Sequence, residues 1–120
     1  MKIEKFEDLI SWQESRKLNK SIYELTNSFI LKDRDLSQQI RRASVSVMAN
    51  IAEGFMRFGF KERKQFYTMS RSSLAELKSH FYIVLDLKLI NQSNFDLIIQ
   101  QIDNVGKLLS GMIRSIARYH

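Results

Sequence analysis

A chain of 120 residues fits one domain large enough to build a core without disulfides or metals. Its 44% hydrophobic and 27% charged residues exclude a disordered polymer, and having no proline and only 4 glycines argues against a sheet protein, whose turns call for both. The lack of cysteine excludes a disulfide framework and thiolate metal sites, while a net charge of +6 and a pI near 9.7 make polyanions plausible partners.

The opening MKIEKFEDLI carries charges throughout and does not read as a signal peptide, and no apolar run approaches the roughly 18 residues of a membrane span. A cytoplasmic protein without membrane partners is expected. The charge is uneven. Residues 1–29 balance to zero, whereas residues 57–80 hold Arg57, Lys61, Arg63, Lys64, Arg71 and Lys78 against Glu62 and Glu76. That segment alone carries +4 of the +6.

The first helix is predicted over residues 8–29, with Leu18, Ile22, Leu25 and Phe29 on one stripe that Ser11 and Ser15 extend. Trp12 lies off that stripe, against a neighbouring helix or subunit. After the charged link LKDRD, Asp35 with Gln38 offers a capping box for a second helix, whose core set is Leu36, Ile40, Ala43, Val47 and Ile51. The pattern breaks between Gly54 and Phe60, with Gly59 as the stop. A third helix follows over residues 61–87 with Phe66, Leu77, Phe81 and Val84, and Ser70 and Ser73 on the same stripe. Ser93, with Asp96 three residues on, is the expected cap of the last helix. There Phe95, Ile98, Ile102, Val105, Leu109, Met112, Ile116 and Tyr119 alternate spacings of three and four. Four such helices on short links specify an all-α, antiparallel up-down-up-down four-helix bundle forming a single domain over residues 1–120.

The second helix has one face too many. Besides its core set, Val45, Met48, Ala49, Ala52, Phe55 and Met56 form a second apolar face, with Arg41 alone beside it. An arc wider than the usual amphipathic stripe predicts a homo-oligomer docked through that face. The polar stripe between, with Asn50, Glu53 and Arg57 at helical spacings, reads as a structural network fixing register.

QIRRASVSVMANIAEGFMR, residues 39–57, resembles the pattern QIRRA-x-VSIPSNIAEG-x-x-R of the 23S rRNA intervening-sequence proteins. FEDLISWQES at 6–15 resembles that family's opening, and SRSSLAELKSHF at 70–81 resembles its ARGSL-x-ELE segment. The resemblance implies a four-helix bundle assembled as a ring-like homopentamer, without enzymatic activity. It also implies kinship with accessory proteins of diversity-generating retroelements, which bind nucleic acid through basic surfaces and associate with a reverse transcriptase. The chain departs from the pattern at Met48 and Ala49, where the family has proline and serine, at Ile30 after Phe29, and at Asp35 before Leu36.

Catalytic patterns are absent from the sequence. His80 with Glu76 supplies one carboxylate–histidine pair where a dimetal bundle needs two and further glutamates, so His80 is expected at the surface. No cofactor and no metal are expected. The leading expectation is a scaffold that neutralises the RNA or DNA backbone with Arg41, Arg42, Arg57, Lys61, Arg63, Lys64 and Arg71, with Phe58 and Phe60 able to stack on bases and Tyr67 in the core. A protein-interaction adaptor, for example for a reverse transcriptase, is the alternative. A ligand carrier would need polar residues facing the core, which the seams do not supply.

Overall fold

The structure, a computed structural model, describes residues 2–119, the side chain of Tyr119 excepted. The expected place of Tyr119 on the last seam therefore lies outside the described residues. A single 3-10 turn at Phe6–Asp8 precedes four helices, α1 (Ile10–Asn27), α2 (Arg34–Phe55), α3 (Phe60–Asp86) and α4 (Gln92–Tyr119). Each helix packs on its neighbours in the chain, and α4 closes the ring onto α1, while the backbones of the diagonal pairs stay apart among the described residues. Cross-helix bonds fix the directions: Ser44 reaches Asn19, Val47 receives Ser70, and Lys78 meets Asp103, all with antiparallel register. The result is the predicted all-α bundle, a rod 46 × 22 × 20 Å in extent.

The axial core follows from the 3.6-residue period. Leu18, Ile22 and Phe29 of α1 and its link, Ile40, Val47 and Ile51 of α2, Leu77, Phe81 and Val84 of α3, and Ile102, Val105 and Leu109 of α4 are all essentially inaccessible. Burying each such side chain stabilises the fold by about 1.5–3 kcal/mol before entropy is counted. Tyr67 and Leu74 join the α3 stripe, while Phe66 sits at its edge. On α4 the buried set runs on to Ile113, and Met112 and Ile116 are half-buried beside it.

Helix ends differ from expectation by one or two residues. Asp33, not Asp35, caps α2, its carboxylate accepting the Leu36 N–H at 3.0 Å. The reason lies upstream: Lys32 and Asp33 N–H groups both bond the Phe29 carbonyl, so buried Phe29 holds Asp33 as the last residue before the helix. Asp35 sits inside the first turn and receives Gln39 instead. At α4 the cap is Asn91, whose side chain accepts the Asn94 N–H at 2.8 Å, and Ser93 lies within the helix. Gly59 does not stop α2, which closes at Phe55 with Met56 as its C-cap; it is the residue from which α3 starts. α2 runs unbroken through Met48, where the family pattern has proline.

The candidate nucleic-acid interface

The α2–α3 contact is lined with small side chains. Ser70 donates to the Val47 carbonyl at 2.7 Å, and the Ser46 and Ser73 hydroxyls lie 2.9 Å apart across the seam. Small residues let two helices approach while their hydroxyls stay bonded, which removes the cost of burying them. The approach is tightest at Gly54. A Cβ there would stand 2.7 Å from Tyr67 Cε1 and 2.9 Å from Phe66 Cβ. Burial of Tyr67 in this contact raises its phenol above the ordinary 10.0, against a smaller opposing pull from the Arg63 charge.

These contacts revise the polar network expected on α2. Glu53 and Arg57 do pair at 3.2 Å, but Asn50 turns the other way, donating to the carbonyl and hydroxyl of Ser46. Ser46 is drawn into the α3 seam and leaves Asn50 its nearest acceptors. The second apolar face is also narrower than its spacing predicts. Met48, Ala52 and Phe55 are half-buried on the side of α2 that turns toward α1, where the 3-10 turn also packs. Val45, Ala49 and Met56 remain exposed, Met56 by 64%.

The seven expected nucleic-acid residues do not form one surface. Arg41 reaches back to α1: its guanidinium donates to Thr26 Oγ1, the Tyr23 carbonyl and Asn27 Oδ1, and lies 4.5 Å over the Tyr23 ring. Arg63 donates to the Arg57 and Phe55 carbonyls and so ties the start of α3 to the last turn of α2. Arg57 is paired with Glu53 and lies 4.8 Å over the Phe66 ring. A cation held at helix-terminal carbonyls is a structural clamp. Arg57 is exposed all the same, and Arg42, Lys61, Lys64 and Arg71 are the four exposed members without a hydrogen bond or ion pair among the described residues.

Two of these four belong to a set that the chain order conceals. Lys64, Arg71 and Lys78 recur every seven residues, so they line one side of α3 at intervals of about 10.5 Å. That side turns to α4, as the 2.9 Å bond from Lys78 to Asp103 fixes. α4 answers with Lys107 and Arg114, again seven apart. Between them runs an open groove of about 650 Å³, with Leu74, Ile102 and Gly106 on its floor and Arg71, Lys78, Lys107 and Arg114 on its walls. Asp103 is the sole acid among its lining residues. It engages Lys78, and this hydrogen bond is the main cause raising the Lys78 ammonium above its usual 10.5. Lys107 and Arg114 lie in α4, forty residues and more beyond Lys64, so counting charge by sequence segment could not group them.

The fold sorts charge along the rod. Antiparallel packing brings the C-terminal half of α2, the N-terminal half of α3 and the C-terminal half of α4 to one end, together with the start of α1. Residues 45–73 and 106–119 carry eight lysines and arginines against two acids, and residues 2–18 balance. The opposite half, residues 19–44 and 74–105, holds seven of each sign. The entire +6 therefore resides at one end. At this end the α2–α3 turn projects Phe58, which is wholly exposed, while Phe60 is 40% exposed and carries Arg63 over its ring at 5.9 Å.

Other places offer less to a polyanion. The larger groove between α1 and α4, about 1100 Å³, is lined by Glu24, Asp96 and Asp103 against the single cation Lys107, with a run of amides. The buried polar side chains among the described residues are five serines and Thr26, and of these only Ser11 lacks a hydrogen-bond partner. His80, expected at the surface, is largely covered: its Nε2 lies 3.4 Å from Glu76 and its Nδ1 is buried without a partner. No group of three histidines, cysteines or acids able to hold a metal occurs among the described residues. None of the described helices is long and apolar enough to cross a membrane.

Comparison with known proteins accords with the fold. The family described as 23S rRNA-intervening sequence protein matches residues 7–111. The chain belongs to that family. Among solved structures, a protein with unknown function from the S23 ribosomal protein family of Bacteroides thetaiotaomicron, determined at 1.70 Å, superimposes with a TM-score of 0.83. It is 18% identical, and the match covers 88% of this chain and 96% of that one, which speaks for the fold alone. No curated protein matches. In this member of the intervening-sequence family, the run NIAEG acquires a physical meaning: Ile51 enters the core, Gly54 admits Tyr67, and Glu53 holds Arg57.

Proposed function

We propose that the protein is a non-enzymatic, self-associating scaffold that binds the phosphate backbone of RNA or DNA at the basic end of its bundle. The observation that carries this reading is the gathering of the whole net charge at one end, with Arg71, Lys107 and Arg114 lining one groove and Lys64 exposed one heptad before Arg71 on the same helix. Flexible cations on an open groove neutralise phosphates without reading bases, so recognition is sequence-tolerant and electrostatic. Self-association rests on the exposed strip Val45, Ala49 and Met56, bordered by Ala52. A stable interface buries about 800 Å² per partner, so this strip serves as its centre and neighbouring surface completes it. The family resemblance implies five copies, which multiply a weak single contact into useful avidity.

Filter binding of mixed RNA and DNA at two ionic strengths tests the proposal. Binding at low salt that falls steeply at moderate salt is expected; absent or salt-independent binding rejects it. The triple charge reversal Lys64→Glu, Arg71→Glu, Arg114→Glu abolishes binding on this reading and leaves particle mass unchanged. If it instead abolishes capture of a protein partner while nucleic-acid binding persists, the scaffold is an adaptor.

A further inference from the structure

Phe58 is the most exposed large apolar side chain of the molecule's described part, with an accessibility of 100%. An aromatic ring held fully in water has no folding role, because it contributes no burial and touches no core residue. Its chain neighbours are Arg57 and Gly59, and Lys61 and Lys64 follow within two turns. The turn that bears it is held from both sides by Arg63, which bonds the Phe55 and Arg57 carbonyls. The ring is thus presented on a fixed support, at the basic end, at the start of the helix whose heptad-spaced cations run along the groove.

We infer that the interface takes single-stranded rather than duplex nucleic acid, with Phe58 stacking one unpaired base while Lys64, Arg71 and Arg114 hold the adjoining phosphates. The inference rests on the backbone-binding reading above and adds a selection to it. A duplex conceals its base faces, so an exposed ring gains nothing from it. A single strand offers one π-face per nucleotide, and stacking on an aromatic side chain accepts any base. The chemistry fits a strand better than a membrane. Met56 belongs to the α2 strip, Phe60 is 40% exposed beneath the Arg63 guanidinium, and so small an apolar group among cations supplies little area to sink into lipid.

The test uses the full chain and fluorescein-labelled RNA of about twelve nucleotides, once as an unstructured single strand and once as a duplex of equal length. Anisotropy titrations at about 50 mM salt are run with native protein, Phe58→Ala and Phe58→Trp, with solution mass measured for each. The expected result is preference for the single strand, a loss of about tenfold or more in Phe58→Ala on that strand only, and recovery in Phe58→Trp. Equal affinity for both forms, or an unaffected Phe58→Ala, overturns the inference while leaving backbone binding in place. Absence of binding to either form removes the reading beneath it. A change of mass in Phe58→Ala assigns the ring to self-association and overturns it, as does loss of binding to phosphatidylserine vesicles with RNA binding intact.

Discussion

At Gly54 the nearest atoms to an added methyl group are a tyrosine ring carbon at 2.7 Å and the Phe66 Cβ at 2.9 Å, and the second is tied to backbone that cannot yield freely. Gly54→Ala gains about 1 kcal/mol of helix propensity, but overpacking of this kind costs about 1–3 kcal/mol, so a net loss of stability is expected in a urea melt. Gly106 is the control. Its added Cβ would meet only Leu74 Cδ1, at 3.9 Å, and Gly106→Ala in the middle of α4 is expected to raise stability by up to about 1 kcal/mol. Lys88 offers the opposite exchange. It takes φ 58° at the end of α3, where its N–H bonds Leu85 and the next N–H returns to Val84, a Schellman ending that favours glycine. Lys88→Gly relieves the left-handed strain and should stabilise the bundle by about 0.5–1 kcal/mol. Arg41 separates structure from binding. Arg41→Ala removes three hydrogen bonds to the last turns of α1 and should lower stability by about 1–2 kcal/mol while leaving RNA affinity unchanged.

At the scale of the helices, the connection most open to perturbation is the α2–α3 pair, because its close approach depends on Ser46, Ser70, Ser73 and Gly54 together. Ser70→Leu should disrupt it more than any single change in the leucine and isoleucine seam of α4, measured by loss of thermal midpoint, since the serine's site is fully buried. The α4 seam was legible from Phe95 to Leu109, where five residues at alternating three and four spacing are all buried; beyond it the expected Met112 and Ile116 are half-buried, and Ile113, four residues after Leu109, takes the core position. The α1 and α2 core sets followed from the same rule. The caps were not, because each helix start offers two or three residues of suitable type within a few positions. Only the incoming turn, anchored by Phe29 before α2, decides which side chain reaches the open N–H. The polar stripe of α2 was misread for a related reason. Periodicity places Asn50 beside Glu53 and Ser46 equally well, and it takes α3, seated on Ser46, to draw Asn50 toward the serine. The groove cations Lys107 and Arg114 carried a faint signal, their spacing of seven matching that of Lys64, Arg71 and Lys78, but nothing in the sequence sets the two helices side by side in that register.

For the whole molecule, the decisive quantity is its mass in solution. Val45→Glu with Met56→Glu places charges on the exposed strip of α2 without touching the core, and both positions are more than 40% exposed. On the proposed self-association, the pair should reduce the particle to 14.2 kDa in light scattering, with the helical content retained. Native protein that already scatters as 14.2 kDa ends the assembly proposal. The sorting of charge along the rod has a geometric sequel. Rotation about a single axis never reverses an object along that axis, so in any closed ring every copy presents its cationic tip in the same sense. If the rods stand along the axis, the ring becomes two-faced, one side attractive to phosphates and the other indifferent. If they lie radially, the tips crowd together either at the hub or around the perimeter. In each case a strand meets a band of positive potential rather than scattered patches, and two such bands repel when brought face to face.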